Sequence, residues 1–243
     1  MKTTKNLIAI CLIALFSVNL SQAQTADEVL NKYWEAVGGK TKWKELKSMV
    51  MTGKASQMGQ DFPYTVYTKS PNKMKVSVSF QGKEIIPQAF DGDVAWGTNF
   101  MTMQTEKKSD EETKEMKEEA EFEPKFLDYA QKGHKVALEG KETIDGTECY
   151  KIKLTQKDGD LEYHFFDTDS NALIMSRSFG KTGQMKGIEI ESYFSDYKEI
   201  NGLMIPHSQQ QKIKGQLQST LTLESVKLNE NIDDKVFTMP AGK

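Results

Sequence analysis

The sequence predicts a mainly β fold: an antiparallel sheet with one apolar face, joined by a few helices. Three observations carry this. Residues 139–154 read as a strand, an Asp145-Gly146 turn and a second strand, with Tyr150, Ile152 and Leu154 on one face and Lys151, Lys153 and Thr155 on the other. Asp-Gly suits a tight hairpin turn, and strict alternation marks a strand wet on one side and dry on the other. Met74, Val76, Val78 and Phe80 alternate in the same way with Lys73, Lys75, Ser77 and Ser79. Finally, short turns separate consecutive strand patterns both before and after a helical mid-chain segment, which is the arrangement of a meander.

The chain opens with Lys2 and Lys5, an apolar run from Leu7 to Val18, and Ser21-Gln22-Ala23. This is the pattern of a secretory signal peptide over residues 1–23. The run is shorter than the roughly 20 residues that a span needs. Cys11 lies in the middle of it, which does not fit a lipidation site. Residues 24–243 then form one domain, since no Pro/Gly/Ser-rich linker divides them. The formal net charge is −3, and −5 once Lys2 and Lys5 are removed. That gives no electrostatic case for nucleic acid. Cys149 is the one cysteine left, so no internal disulfide is expected; its strand phase puts it on the wet face.

The first helix spans Thr25 to Val37. Thr25 and Glu28 form a capping box, Val29, Leu30, Tyr33, Trp34 and Val37 make an apolar stripe, and Gly38-Gly39 ends it. Trp43 and Leu46 mark a short helical turn. Strands follow at Met49–Ala55, Asp61–Lys69, Lys73–Gln81, Lys83–Phe90 and Val94–Trp96. Residues 105–121, TEKKSDEETKEMKEEAE, read as a charged helix with a second capping box at Ser109 and Glu112. Pro124 to Gly133 reads as another short helix, with Phe126, Leu127 and Ala130 as its apolar side. Strand patterns then run to Leu228, for roughly ten strands in all.

Chemistry-bearing motifs are few. His134, His164 and His207 are far apart and lack metal-ligand spacing, so each reads as a strand-end or surface residue. Asp167–Asn171 imitates the start of a calcium loop but has Ala172 where the sharp bend needs glycine. Gly39-Lys40-Thr41 and Gly180-Lys181-Thr182 lack the earlier glycine of a phosphate loop. No GxSxG elbow occurs. Neither an enzyme nor a cofactor is expected.

What remains is the inward face: Met49, Met51, Phe62, Tyr64, Val66, Met74, Val76, Val78, Phe80, Phe90 and Trp96. Eleven of the twelve methionines lie beyond the signal segment, a high load of pliable apolar surface. On residues alone, an ordinary packed core fits this face better than a ligand cavity does.

Four stretches bear on that choice: Ala26–Gly39 (ADEVLNKYWEAVGG), Ala89–Trp96 (AFDGDVAW), Glu142–Leu154 (ETIDGTECYKIKL) and Tyr193–His207 (YFSDYKEINGLMIPH). In order and spacing they resemble the LolA-like family of periplasmic lipoprotein carriers, in the divergent branch of outer membrane lipoprotein-sorting proteins. The resemblance implies one LolA-like domain over residues 24–243. Its fold would be an open half-barrel, its concave face covered by the N-terminal helix and a mid-chain helical lid. It implies lipid or lipoprotein acyl chains as ligands, held in an apolar cavity that Phe126, Leu127, Tyr150, Ile152 and Leu154 complete. It also implies membrane-associated donor and acceptor proteins, and a periplasmic location. Hiding about 14 methylenes from water is worth about 11 kcal/mol at roughly 0.8 each. One departure stands out: carriers of the well-studied type latch the lid with a strand arginine. Here the sole arginine, Arg177, does not align to that role. A non-shuttling binding or sensor module, and an envelope protein filled by its own side chains, are the competing readings.

Overall fold

The computed structural model describes residues 24–181 and 183–240. The signal-peptide expectation, residues 1–23, lies outside the described residues. Helix α1 (Ala26–Ala36) carries the expected capping box. The Thr25 side chain accepts from the Glu28 amide and the Glu28 carboxylate accepts from the Thr25 amide. Helix α2 spans Lys40–Glu45. The sheet then begins with β1 (Ser48–Gln57), β2 (Gln60–Lys69), β3 (Lys73–Phe80), β4 (Lys83–Phe90), β5 (Ala95–Thr98) and β6 (Thr105–Lys107). Helix α3 (Asp110–Glu119) interrupts it. Strands β7 (Lys135–Ile144), β8 (Thr147–Thr155), β9 (Leu161–Asp167), β10 (Leu173–Phe179), β11 (Glu189–Ile200), β12 (Leu203–Ile213) and β13 (Gln216–Leu228) follow.

All thirteen strands form one open antiparallel sheet in the order β6-β5-β4-β3-β2-β1-β13-β12-β11-β10-β9-β8-β7. The expectation of roughly ten was too low. One cause is β6, which lay unrecognised in a run of charged residues that reads as helix. Two meanders meet where β1 pairs with β13, as in Met51 opposite Val226. The chain therefore leaves the sheet at one free edge, β6, and re-enters at the other, β7. Residues 108–134 bridge the two edges, and α3 is part of that bridge. Close strand approach sets one glycine: a Cβ on Gly53 would stand 2.0 Å from the Thr222 carbonyl oxygen across the β1–β13 seam.

Both helical segments cover the same face of the sheet. Helix α1 buries Val29, Leu30 and Trp34 against Ile152, Leu154 and Phe166, with Phe126 and Leu127 in the same cluster. Helix α3 places Met116 and Ala120 on Met74, Phe90 and Ala95. The sheet is open and covered on this inner face, as expected of a half-barrel. The second lid helix does not form. Residues 125–133 make successive turns, because Asp128 takes a left-handed conformation at φ 50° that an α-helix cannot accommodate.

The outer face holds a surprise. Cys149, expected on the wet face, is fully buried there with Ile144, Phe165 and Met175. The strand phase is as expected, but the outer side is not wet at this point. Long basic side chains roof it, with Lys151 Nζ 4.9 Å from the Tyr163 ring centre and the Arg177 guanidinium 5.2 Å from that of Phe165. Burial pushes the Cys149 thiol up to about 11, which makes it an inert thiol.

Candidate functional site

Three spaces stand out on the inner face among the described residues. An apolar groove of about 360 Å³ lies on β1, β2, β12 and β13 beside Trp43, lined by Met49, Met51, Tyr64, Val66, Ile205, Leu221 and Leu223, with His207 and Gln209 as polar neighbours. A smaller space of about 200 Å³ adjoins it under the bridge, between Met49, Met51, Met74, Ala120 and Phe122. The third, about 610 Å³, is of mixed character and lies between α3 and strands β9–β12, with Lys125, Gln156, Glu162, Ser178, Ser192 and Gln211 on its walls beside Leu161, Phe179 and Ile190.

The pairing register explains why the groove residues share a face. Met51 stands opposite Val66 and Val226, Val66 opposite Val76, and Tyr64 opposite Val78. Trp43 is fixed above them by its indole N–H, which donates to the Val37 carbonyl at 3.1 Å. Of the residues expected in a cavity, Met49, Met51, Tyr64 and Val66 line the groove, and Met74 lines its smaller neighbour. Phe62, Val76, Val78 and Phe80 continue the same strand faces toward one end of the sheet, where the Phe62 and Phe80 rings lie 5.8 Å apart. Phe90 packs under α3, while Phe126, Leu127, Ile152 and Leu154 are buried with α1, and Tyr150 packs against them. That part of the inner face is filled by the protein itself. Trp96 departs from expectation. It pairs with Ala89, one residue out of phase with Phe90, so it lies on the outer face, where its indole N–H donates to the Phe237 carbonyl at 2.7 Å.

Sequence reasoning missed the far wall. Leu221, Leu223, Ile205 and Trp43 come from distant parts of the chain. The alternation in Leu203-Ile205-His207 and Leu221-Leu223 was the available signal. The mixed space under α3 was not anticipated either. There Lys125 Nζ is ion-paired with Glu162, and His164 Nε2 lies 3.1 Å from the same carboxylate. Burial alone would raise Glu162, but the His164 hydrogen bond and the Lys125 charge outweigh it and hold the carboxyl down to about 2. All three histidines are buried; His134 stands at a strand end as expected, just before β7, while His164 and His207 lie inside β9 and β12 and so are neither strand-end nor surface residues. His134 Nδ1 accepts from the Lys157 amide, and His207 Nδ1 is 2.8 Å from the Ile205 carbonyl. These contacts fix His134 and His207 against local backbone, which spacing cannot reveal, whereas the buried His164 Nδ1 has no hydrogen-bond partner.

Helix α3 is tied down from the far half of the sheet. Lys181 Nζ lies 2.7 Å from Glu118, 2.6 Å from Asp160 and 3.7 Å from Asp158. The three carboxylates are close enough together to hold a cation, and the Lys181 ammonium already sits among them. Burial would lower the lysine, but Asp160 and Glu118 more than reverse that and keep it charged.

Solved structures share this architecture. A LolA superfamily protein from Nitrosomonas europaea matches with a TM-score of 0.56 and 16% identity, over 89% of this chain and 98% of that one. A putative outer membrane lipoprotein-sorting protein domain from Vibrio parahaemolyticus matches with a TM-score of 0.55 and 10% identity, over 86% and 94%. The fold is LolA-like. A DUF1329 family protein from Desulfovibrio piger also matches, with a TM-score of 0.55 and 11% identity over 86% of this chain and 97% of that one. A family model described only as an uncharacterised protein matches residues 127–241. No curated protein matches the sequence. In this LolA-like fold Arg177 lies on the outer face, its guanidinium 2.9 Å from Glu191. It points away from the lid, and Lys181 holds α3 in its place.

Proposed function

We propose that the protein is a periplasmic carrier that holds a lipoprotein acyl chain or a related lipid in the inner groove, for delivery toward the outer membrane. The observation that supports this best is the groove beside Trp43. Its volume is within the range of about 300–1,000 Å³ typical of small-ligand sites. Its walls are methionine, aliphatic and aromatic, and few polar groups reach it. Met49 and Met51 can reshape around chains of different length. Signal-driven export, read from residues 1–23, supplies the compartment. The LolA-like fold and the lipoprotein-sorting description of the Vibrio parahaemolyticus structure support the ligand class. No catalytic role is assigned.

A second reading is a binding or sensor module that retains its ligand. The Lys181 cluster favours it, because several charged groups must separate before α3 can lift. Lipid extraction of the purified protein tests the shared part of both readings. Transfer of the bound lipid to acceptor vesicles separates them: a carrier releases it, a sensor does not.

A further inference from the structure

The exposed apolar side chains of this protein are not scattered. Among the described residues the large ones are Met58, Phe80, Phe100, Met101, Met103 and Leu217, joined by Leu161 and Phe179. Strand direction alternates through the sheet, so hairpin turns fall at two ends. All eight residues belong to one end, at the turns β1–β2, β3–β4, β5–β6, β8–β9, β10–β11 and β12–β13. The turns at the other end (residues 70–72, 91–94, 145–146, 168–172 and 201–202) carry none of them.

The β5–β6 turn, residues 99–104, presents Phe100, Met101 and Met103, with Met101 96% exposed. Met58, also 96% exposed, sits at φ 50° before Gly59. A two-residue turn of this kind favours Asn or Asp at that position, so turn formation does not explain a methionine there.

Charge divides the same way. The turns at the apolar end contain Lys157, Lys181, Lys186 and Lys214; Lys181 is engaged by Asp158, Asp160 and Glu118 of α3, while Lys157, Lys186 and Lys214 form no ion pair among the described residues. The turns at the opposite end contain Asp91, Asp93, Asp145 and Asp169 and no lysine, although Lys42 of α2 reaches Gly202 there.

We infer that this rim docks on an anionic lipid bilayer, its hairpin tips dipping into the interface and its lysines meeting the headgroups. Single apolar side chains on separate fingers suit a lipid surface, where depth matters and shape complementarity does not. Lysines among them add attraction to anionic lipid. The rim is also continuous with the inner face: Phe62 and Phe80 lie on the same strand faces as Tyr64 and Val78. The inference stands without a lipid in the groove.

Co-sedimentation with vesicles of phosphatidylethanolamine and phosphatidylglycerol tests it. Wild type should bind, more weakly at high salt. The triple variant Phe100→Ser/Met101→Ser/Met103→Ser should lose roughly tenfold or more in partitioning with an unchanged circular dichroism spectrum, and Met58→Ser, on another hairpin, should lose a smaller factor. A groove-filling Val66→Trp variant should bind vesicles as wild type does, which separates this inference from the lipid-carrier reading. Absence of wild-type binding overturns the inference, and so does binding that the rim variants do not change. A dimer that the triple variant dissolves also overturns it, assigning the rim to a second copy of the chain.

Discussion

Lys181 Nζ, in the β10–β11 turn, lies 2.7 Å from Glu118 Oε2 on helix α3. This contact ties α3 to the far half of the sheet, which the later part of the bridge already meets through Lys125, Phe126 and Leu127. Lys181→Ala should therefore loosen α3 more than it destabilises the protein. The pair is about one-third exposed, so global stability should fall by only about 0.5–1 kcal/mol. Amide hydrogen exchange in residues 110–119 should accelerate several-fold while β7–β9 stay protected. Equal acceleration everywhere would show that α3 has no separate opening.

Glu162 gives a pH dependence with a definite sign. Its carboxyl is held at about 2, below its ordinary 4.5. A depressed folded-state value contributes stability that is present above the unfolded value and lost as pH falls through the folded one. Thermal stability should decline between pH about 4.5 and about 2 as Lys125 and His164 lose their partner. In Glu162→Gln the decline over that window should be shallower. Melting curves of the two proteins across the window check this.

Leu127 is fully buried in the cluster that seats α1 on β8 and β9. Leu127→Ala should cost about 2–5 kcal/mol, from lost burial and the cavity left behind. Urea unfolding measures it. A loss below about 1 kcal/mol would mean that the cluster repacks and that α1 is not rigidly seated.

Gly53→Ala should be poorly tolerated for a backbone reason. Its Cβ would meet the Thr222 oxygen at 2.0 Å, on the seam that joins the two meanders. The expected result is a loss of about 1–3 kcal/mol, the usual range for overpacking, read by the same unfolding assay.

Much of the fold was legible in the residues. Thr25 with Glu28 and Ser109 with Glu112 announce their helices because capping is local. Asp145-Gly146 and Asn201-Gly202 announce their hairpins for the same reason; Asp145 and Asn201 both take positive φ. Failures came where a local pattern met a tertiary partner. β6 is a strand because Trp96, Gly97 and Thr98 offer it an edge, not because Thr105–Lys107 favour extension. Trp96 reads as inward-facing until its register with Ala89 is known. Cys149 reads as wet until the basic roof over the outer face is seen. Half of the groove was legible for a like reason: alternation shows that Met49, Met51, Tyr64 and Val66 share a face, but not which distant strand closes the other wall.

The central claim is that the inner groove takes an acyl chain, and fluorescent fatty-acid titration of delipidated protein tests it most directly. The account predicts saturable binding of one chain per protein, displaced by unlabelled lipid and abolished by Val66→Trp with the fold intact. Binding that Val66→Trp leaves unchanged, or no binding at all, would contradict it.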